Sequence, residues 1–164
     1  MKLSEGVEWG LHCVLLLAAL PPEATLPTKV MATAFGLSET YLSKHLQALA
    51  NAHIIESLPG PKGGYRLQRL PEKITVLEVV EAIDGREPLF RCTEIRQHGP
   101  FVYEPETYRI PCAIHVSMAR AEKAWREALR TQTIADIAAL YQQNVGEKQQ
   151  QDSKQWIEER MRRA

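Results

Sequence analysis

The sequence predicts a mainly α-helical fold with a small β-wing: a winged helix-turn-helix plus a long dimerisation helix. Three stretches carry this reading. Ala32-Thr33-Ala34-Phe35-Gly36-Leu37-Ser38 places a small residue four before a turn glycine, then an apolar residue and a capping serine, which is helix-turn-helix spacing. Ile54 to Leu58 and Tyr65 to Arg69 flank Pro59-Gly60-Pro61-Lys62-Gly63-Gly64, a strand, glycine-rich turn and strand. Ala113 to Arg130 sets Met118, Ala121, Trp125, Ala128 and Leu129 on one helical stripe.

The elements follow in order. Val7, Leu11, Val14, Leu15 and Ala18 repeat at helical spacing and predict a first, core-anchoring helix. Pro21 and Pro22 break it, and Pro27 suits the first turn of a second helix that runs to Phe35 and stops at Gly36. Ser38 is the expected N-cap of a third helix, buried through Leu37, Leu42, Leu46 and Leu49. After the wing, Ile74 to Ile83 reads as a short amphipathic helix with Thr75 as its cap and Asp84-Gly85 as its end. Arg91 to Pro111 holds Gly99, Pro100 and Pro105 without periodicity and reads as a long loop between Cys92 and Cys112. The stripe of the long helix suits a helix-helix dimer, although packing on the chain's own first helix would also account for it. Thr133 caps a further helix with Asp136 in its first turn. Gln142 to Ala164 reads as a frayed helix or an arm, with Trp156 as its large apolar residue.

Composition sets limits. An apolar fraction of 45% and a charged fraction of 24% over 164 residues describe a folded chain, not a disordered one. The run Val14 to Leu20 is too short to span a membrane, so a cytoplasmic protein without a membrane partner is expected. Lys and Arg total 20 and Asp and Glu total 20, so any grip on nucleic acid must come from local charge. Cys13, Cys92 and Cys112 are odd in number and lack Cys-x-x-Cys spacing, which argues against a disulfide framework and for reactive or metal-binding thiols.

The third helix offers Glu39, Thr40, Tyr41, Ser43, Lys44 and His45 outward, a hydrogen-bonding set suited to base edges and phosphates in a major groove. A solvated face would look similar. The wing that follows favours DNA, because from Ser38 to Arg69 the bases Lys44, Lys62, Arg66 and Arg69 outnumber Glu39 and Glu56. The expected DNA-binding residues are Ser38, Thr40, Tyr41, Ser43, Lys44, Lys62, Gly63 and Arg66.

Glu8 and His12 lie four residues apart in the first helix, about 40° from one another around its axis, so both can reach one point in space. They form either half of a metal site or an ordinary surface pair. Cys13 points about 100° from His12 and reads as a small core residue. His45, His53, His98 and His115 are assigned structural roles, with His115 an alternative ligand three residues after Cys112.

The order of first helix, helix-turn-helix, Gly-Pro-Lys-Gly-Gly-Tyr wing, Ile74-to-Gly85 helix, cysteine loop and long helix resembles the Rrf family of bacterial winged-helix transcriptional regulators, of the IscR, NsrR and RsrR type, over roughly residues 1 to 142. The likeness is greatest to RsrR-like members, at Gly6-Val7-Glu8-Trp9, Leu11-His12-Cys13, Cys92-Thr93-Glu94-Ile95-Arg96-Gln97, Gly99-Pro100 and Thr133-Ile134-Ala135-Asp136. The resemblance implies a redox-responsive homodimer that binds a pseudo-palindromic double-stranded DNA operator. It also implies a 2Fe-2S cluster held by Cys92 and Cys112 of one subunit and Glu8 and His12 of the other. On this reading residues 1–85 are the winged helix-turn-helix domain, 86–112 the cluster-binding sensor loop, 113–142 the dimerisation helices and 143–164 a C-terminal extension.

Two departures stand out. The three-cysteine loop of IscR and NsrR is absent, which fits the RsrR-like pattern. The Arg that precedes the wing glycine in IscR-like members is Pro59 here, so that minor-groove contact is lost.

With two thiolates, one carboxylate and a neutral imidazole, an oxidised cluster carries about −1, one unit less negative than with four thiolates. Reduction is therefore expected to be easier, and partly coupled to proton uptake at His12. One alternative is a cluster-free regulator with a Cys92/Cys112 thiol switch. A remote one is a zinc hydrolase, disfavoured because no His-x-x-x-His motif occurs, so the chain reads as no enzyme.

Overall fold

The computed structural model describes residues 2–101 and 103–163. Helix α1 spans Glu5–Ala18. The short strand β1 (Ala24–Thr25) follows, then α2 (Thr28–Phe35) and α3 (Glu39–Asn51). Strands β2 (Ile55–Leu58) and β3 (Gly64–Leu67) pair antiparallel, with Ser57 opposite Tyr65. A 3-10 turn at Pro71–Lys73 leads to α4 (Val76–Asp84). The long loop contains 3-10 turns at Ile95–Gln97 and Pro105–Arg109. Helices α5 (Ala113–Arg130), α6 (Ile134–Asn144) and α7 (Glu147–Arg160) complete the α-helices, and β4 (Arg162–Arg163) follows.

Helix α1 packs against α3, α4, α6 and β3. Its glycines permit the close crossings: a Cβ at Gly10 would stand 2.2 Å from the Ile83 side-chain end, and Gly6 lies against His45. Val14 and Leu17 of α1 meet Met31, Leu42, Leu46, Leu49, Ile54, Val79 and Ile134 in one core. Cys13 is fully buried there, and desolvation pushes its thiol up to about 12, so it behaves as a small apolar side chain.

The local signals place most boundaries, with small shifts. Gly36 takes the left-handed conformation (φ +63) that ends α2, and the Leu37 N–H closes on Ala32 O at 2.9 Å. Pro27 occupies the N-cap of α2 rather than its first turn, and Ser38 occupies the α3 N-cap without a side-chain capping bond. Leu37 is half-buried, whereas Leu42, Leu46 and Leu49 are fully buried. Thr75 and Thr133 each close a full capping box, with Glu78 and Asp136 respectively.

The stripe on α5 is divided. Trp125 and Leu129 pack on Val7, Val76 and Val80 of the same chain. Ile114, Val116 and Met118 face outward, and no residue of α5 is fully buried. The segment after Tyr141 is an ordered helix and strand, and its buried residue is Ile157 rather than Trp156.

Candidate functional site

The recognition helix α3 commits Leu42, Leu46 and Leu49 to the core, which turns Ser38, Thr40, Tyr41 and Lys44 to solvent and leaves Ser43 half-buried. The Ser43 hydroxyl donates back to Glu39 O at 2.8 Å. Tyr41 and His45 each meet the indole of Trp9 edge-on, with ring centroids 5.7 Å apart in both pairs. His45 is not a free outward donor: its Nε2 is closed off from solvent with no hydrogen-bond partner among the described residues. Burial, then the Lys44 cation, lowers its basicity, while the carboxylate of Asp84 opposes them.

The wing places Lys62 in solvent, and the Thr25 hydroxyl donates to Lys62 O at 3.1 Å. Gly63 is buried in the turn, its N–H donating to Gly60 O at 2.8 Å. A Cβ there would stand 2.2 Å from Leu58 O, so the residue is dictated by close backbone approach. Arg66 has its charge met inside the chain: Nε donates to Glu56 Oε1 at 2.6 Å and Nη1 to Glu23 Oε2 at 2.9 Å. Arg69 likewise pairs with Glu78 at 2.9 Å. Of the bases counted from Ser38 to Arg69, Lys44 and Lys62 therefore carry the exposed charge.

The residues expected to bind metal fall into two pairs. Burying Val7, Cys13, Val14 and Leu17 turns Glu8 and His12 to the exposed face of α1, where the His12 ring tilts over Phe35 with centroids 5.2 Å apart. Cys92 is exposed in the loop, and Cys112 is half-buried at the N-cap of α5. The first-turn amides of His115 and Ile114 hold the Cys112 thiol below the usual thiol range without forming a capping bond of standard geometry, and the Arg96 cation adds to the effect. Among the described residues, no three His, Cys, Asp or Glu side chains converge as a metal site within this chain.

Sequence reasoning assigned no role to Arg96, which organises the loop. Its Nη2 donates to Glu94 Oε2 at 2.8 Å and to Ile110 O at 3.2 Å, and its guanidinium lies 5.5 Å from the Tyr108 ring centroid. These contacts draw the segment after Cys92 onto the segment before Cys112. The signal was an Arg closely following Glu94 within the cysteine loop. Arg126 anchors the loop's beginning: it pairs with Glu81 at 2.8 Å and Glu122 at 2.9 Å, and its Nη2 reaches Glu87 O at 3.3 Å. Between these groups and α3 lies a cleft of about 690 Å³, lined by Trp9, Tyr41, His45, Asp84, Trp125 and Arg126 among others.

The fold has counterparts among known proteins. A family model described as an iron-dependent transcriptional regulator, Rrf2, matches residues 3–140. The HTH-type transcriptional regulator NsrR of Geobacillus kaustophilus is 31% identical over 137 residues, covering 84% of this chain and 89% of that protein. Among solved structures, CymR, the global cysteine regulator of B. subtilis, superposes with a TM-score of 0.66 at 26% identity, covering 85% of this chain and 98% of that one. IscR of T. potens gives a TM-score of 0.61 at 25% identity, covering 84% and 85% of the two chains. With the winged helix in place and the family model spanning from α1 to α6, the chain belongs to the Rrf2 family and is a DNA-binding transcriptional regulator rather than an enzyme.

Proposed function

We propose that this regulator acts as a homodimer whose DNA affinity responds to redox state through a 2Fe-2S cluster shared between two copies, in the RsrR-like manner. Cys92 and Cys112 of one copy and Glu8 and His12 of the other would hold it. The observation that carries the reading is that each chain presents two incomplete donor pairs. Glu8 and His12 are exposed on α1, and Arg96 gathers the two cysteine ends of the loop at the head of α5. Outward-facing Ile114 and Met118, four residues apart on one side of α5 beside Cys112, suit a second copy. The donor chemistry fits, since Cys112 is disposed to ionise and neither Glu8 nor His12 is in an ion pair with another described residue.

Bound there, the cluster would supply a one-electron change of charge. The chain's own residues then relay a shift of α1. Glu8 and Trp9 are adjacent, and Trp9 touches Tyr41 and His45 on the recognition helix. Ser38, Thr40, Tyr41 and Lys44 would meet the major groove and Lys62 the flanking backbone, while Ser43, Gly63 and Arg66 would chiefly position these elements. In such dimers two recognition helices read half-sites about 34 Å apart, so a small rotation changes operator affinity.

The test is anaerobic purification with assay of iron and acid-labile sulfide, and visible spectra before and after dithionite. A cluster that survives in the wild type and is lost or spectrally altered in Glu8→Ala, His12→Ala, Cys92→Ser and Cys112→Ser supports the reading. An iron-free wild type even after reconstitution sinks it. If that protein also forms a Cys92–Cys112 disulfide under mild oxidant, the thiol switch replaces it.

A further inference from the structure

The chain beyond Tyr141 takes no part in the proposed sensor, yet it returns to the DNA-binding unit. Gln150 fixes the turn between α6 and α7 by donating to Gln142 O and Val145 O, both at 2.8 Å. Ile157 is only 6% exposed and Met161 packs on the main core. Strand β4 then pairs antiparallel with β1, placing Arg162 opposite Thr25 and Arg163 opposite Ala24. Strand β1 is followed by Leu26, which bridges to Tyr65 of β3, so β4 extends the wing on its β1 side.

This register delivers one cation to the wing turn. Arg162 Nη1 donates to Gly63 O at 2.9 Å, and Thr25, its strand partner, bonds Lys62 O at 3.1 Å. The side chains of Arg66 and Arg69 are neutralised by carboxylates. Arg160 is paired with Glu159. Arg162, by contrast, is exposed, uses one N–H on Gly63 and is in no ion pair with another described residue. A guanidinium fixed at one corner keeps its remaining donors in a planar fork that matches a phosphate.

We propose that Arg162 is a phosphate-binding residue of the wing, working beside Lys62 on the DNA backbone that flanks the recognition helix. The C-terminal arm is then a second basic element of the DNA-binding surface, supplied from the far end of the chain. This rests on the reading of α3 and the wing as the operator surface.

The experiment uses the full-length protein and a duplex that the wild type selects from a random-sequence pool, with binding followed by fluorescence anisotropy across a salt series. Arg162→Gln should flatten the slope of log affinity against log salt by about 0.9 per bound subunit, as Lys62→Gln does, and Arg162→Lys should restore it. An unchanged slope in Arg162→Gln, with the Lys62→Gln effect intact, overturns the role of the arm alone. A wild type that selects no duplex removes the operator reading and the arm together. Should Arg162→Gln not fold, the wild type still decides. Bound duplex should protect Arg162 from phenylglyoxal, and equal modification with and without duplex overturns the proposal.

Discussion

The imidazole of His45 rests on the backbone of Gly6, where an added Cβ would stand 2.3 Å from His45 Cε1. The N-terminal turn of α1 and the middle of the recognition helix are thereby held in direct contact. Alanine at Gly6 gains helix propensity of about 1 kcal/mol, but overpacking costs about 1–3 kcal/mol. Gly6→Ala is expected to lose up to about 2 kcal/mol of stability by urea unfolding and to weaken DNA binding, because the His45 ring must move. Unchanged unfolding and unchanged DNA affinity would show that the crossing is looser than described.

The same imidazole predicts a pH dependence. Folding lowers its pKa below the ordinary 6.5, chiefly through burial. Between the folded and unfolded values the unfolded chain binds more protons, so His45's contribution is complete above pH 6.5 and is lost as pH falls through the folded value. Urea midpoints should fall on acidification from pH 6.5 through the folded value more in the wild type than in His45→Gln. Equal declines would assign the acid sensitivity to other groups.

The three thiols should separate by reactivity. Cys13 is fully buried with its thiol near 12, Cys92 is exposed and Cys112 lies at a helix N-terminus. Alkylation of metal-free native protein, read by peptide mass spectrometry, should modify Cys92 and Cys112 and spare Cys13 until denaturant is added.

Thr75 caps α4 and also bridges to Thr133, with the Ile134 N–H donating to Ile74 O and the Val76 N–H to Gln132 O, both at 2.9 Å. The starts of α4 and α6 are thus tied together. Thr75→Ala should cost about 1 kcal/mol in thermal or urea unfolding. Thr75→Ser, which keeps the accepting oxygen, should recover most of that loss.

Met118 is 42% exposed on α5 and Ile114 is 63% exposed. A charge at either place should oppose burial against a second copy. If the proposed cluster-bridged dimer forms through this face, Ile114→Glu and Met118→Glu should sediment as monomers with unchanged helicity by circular dichroism, and should lose iron with the interface. Dimers of wild-type mass in both variants would place the interface elsewhere.

Much of the fold was legible because its signals are local. A glycine forced into a left-handed conformation at Gly36, threonines three residues before a carboxylate, and leucines at helical spacing act through neighbouring backbone and need no distant partner. The exposure of Glu8 and His12 follows from the same periodicity, since burial of Val7, Val14 and Leu17 turns that pair outward. The site was less legible where charges found partners across the fold. Arg66 read as a DNA contact on composition, but Glu23 lies beyond its own hairpin and meets it at 2.9 Å only after β1 approaches β3.

The sequence by itself determined the helix-turn-helix, the wing, the capped helices and the outward placing of Glu8 and His12, because periodicity and turn chemistry are properties of a few consecutive residues. Tertiary structure decided the rest. It divided the α5 stripe between Val7, Val76 and Val80 on one side and solvent on the other, set Arg96 across the cysteine loop, and brought Arg162 to Gly63. These outcomes depend on which distant surfaces meet when the loops close, and a pattern read along the chain carries no record of that pairing.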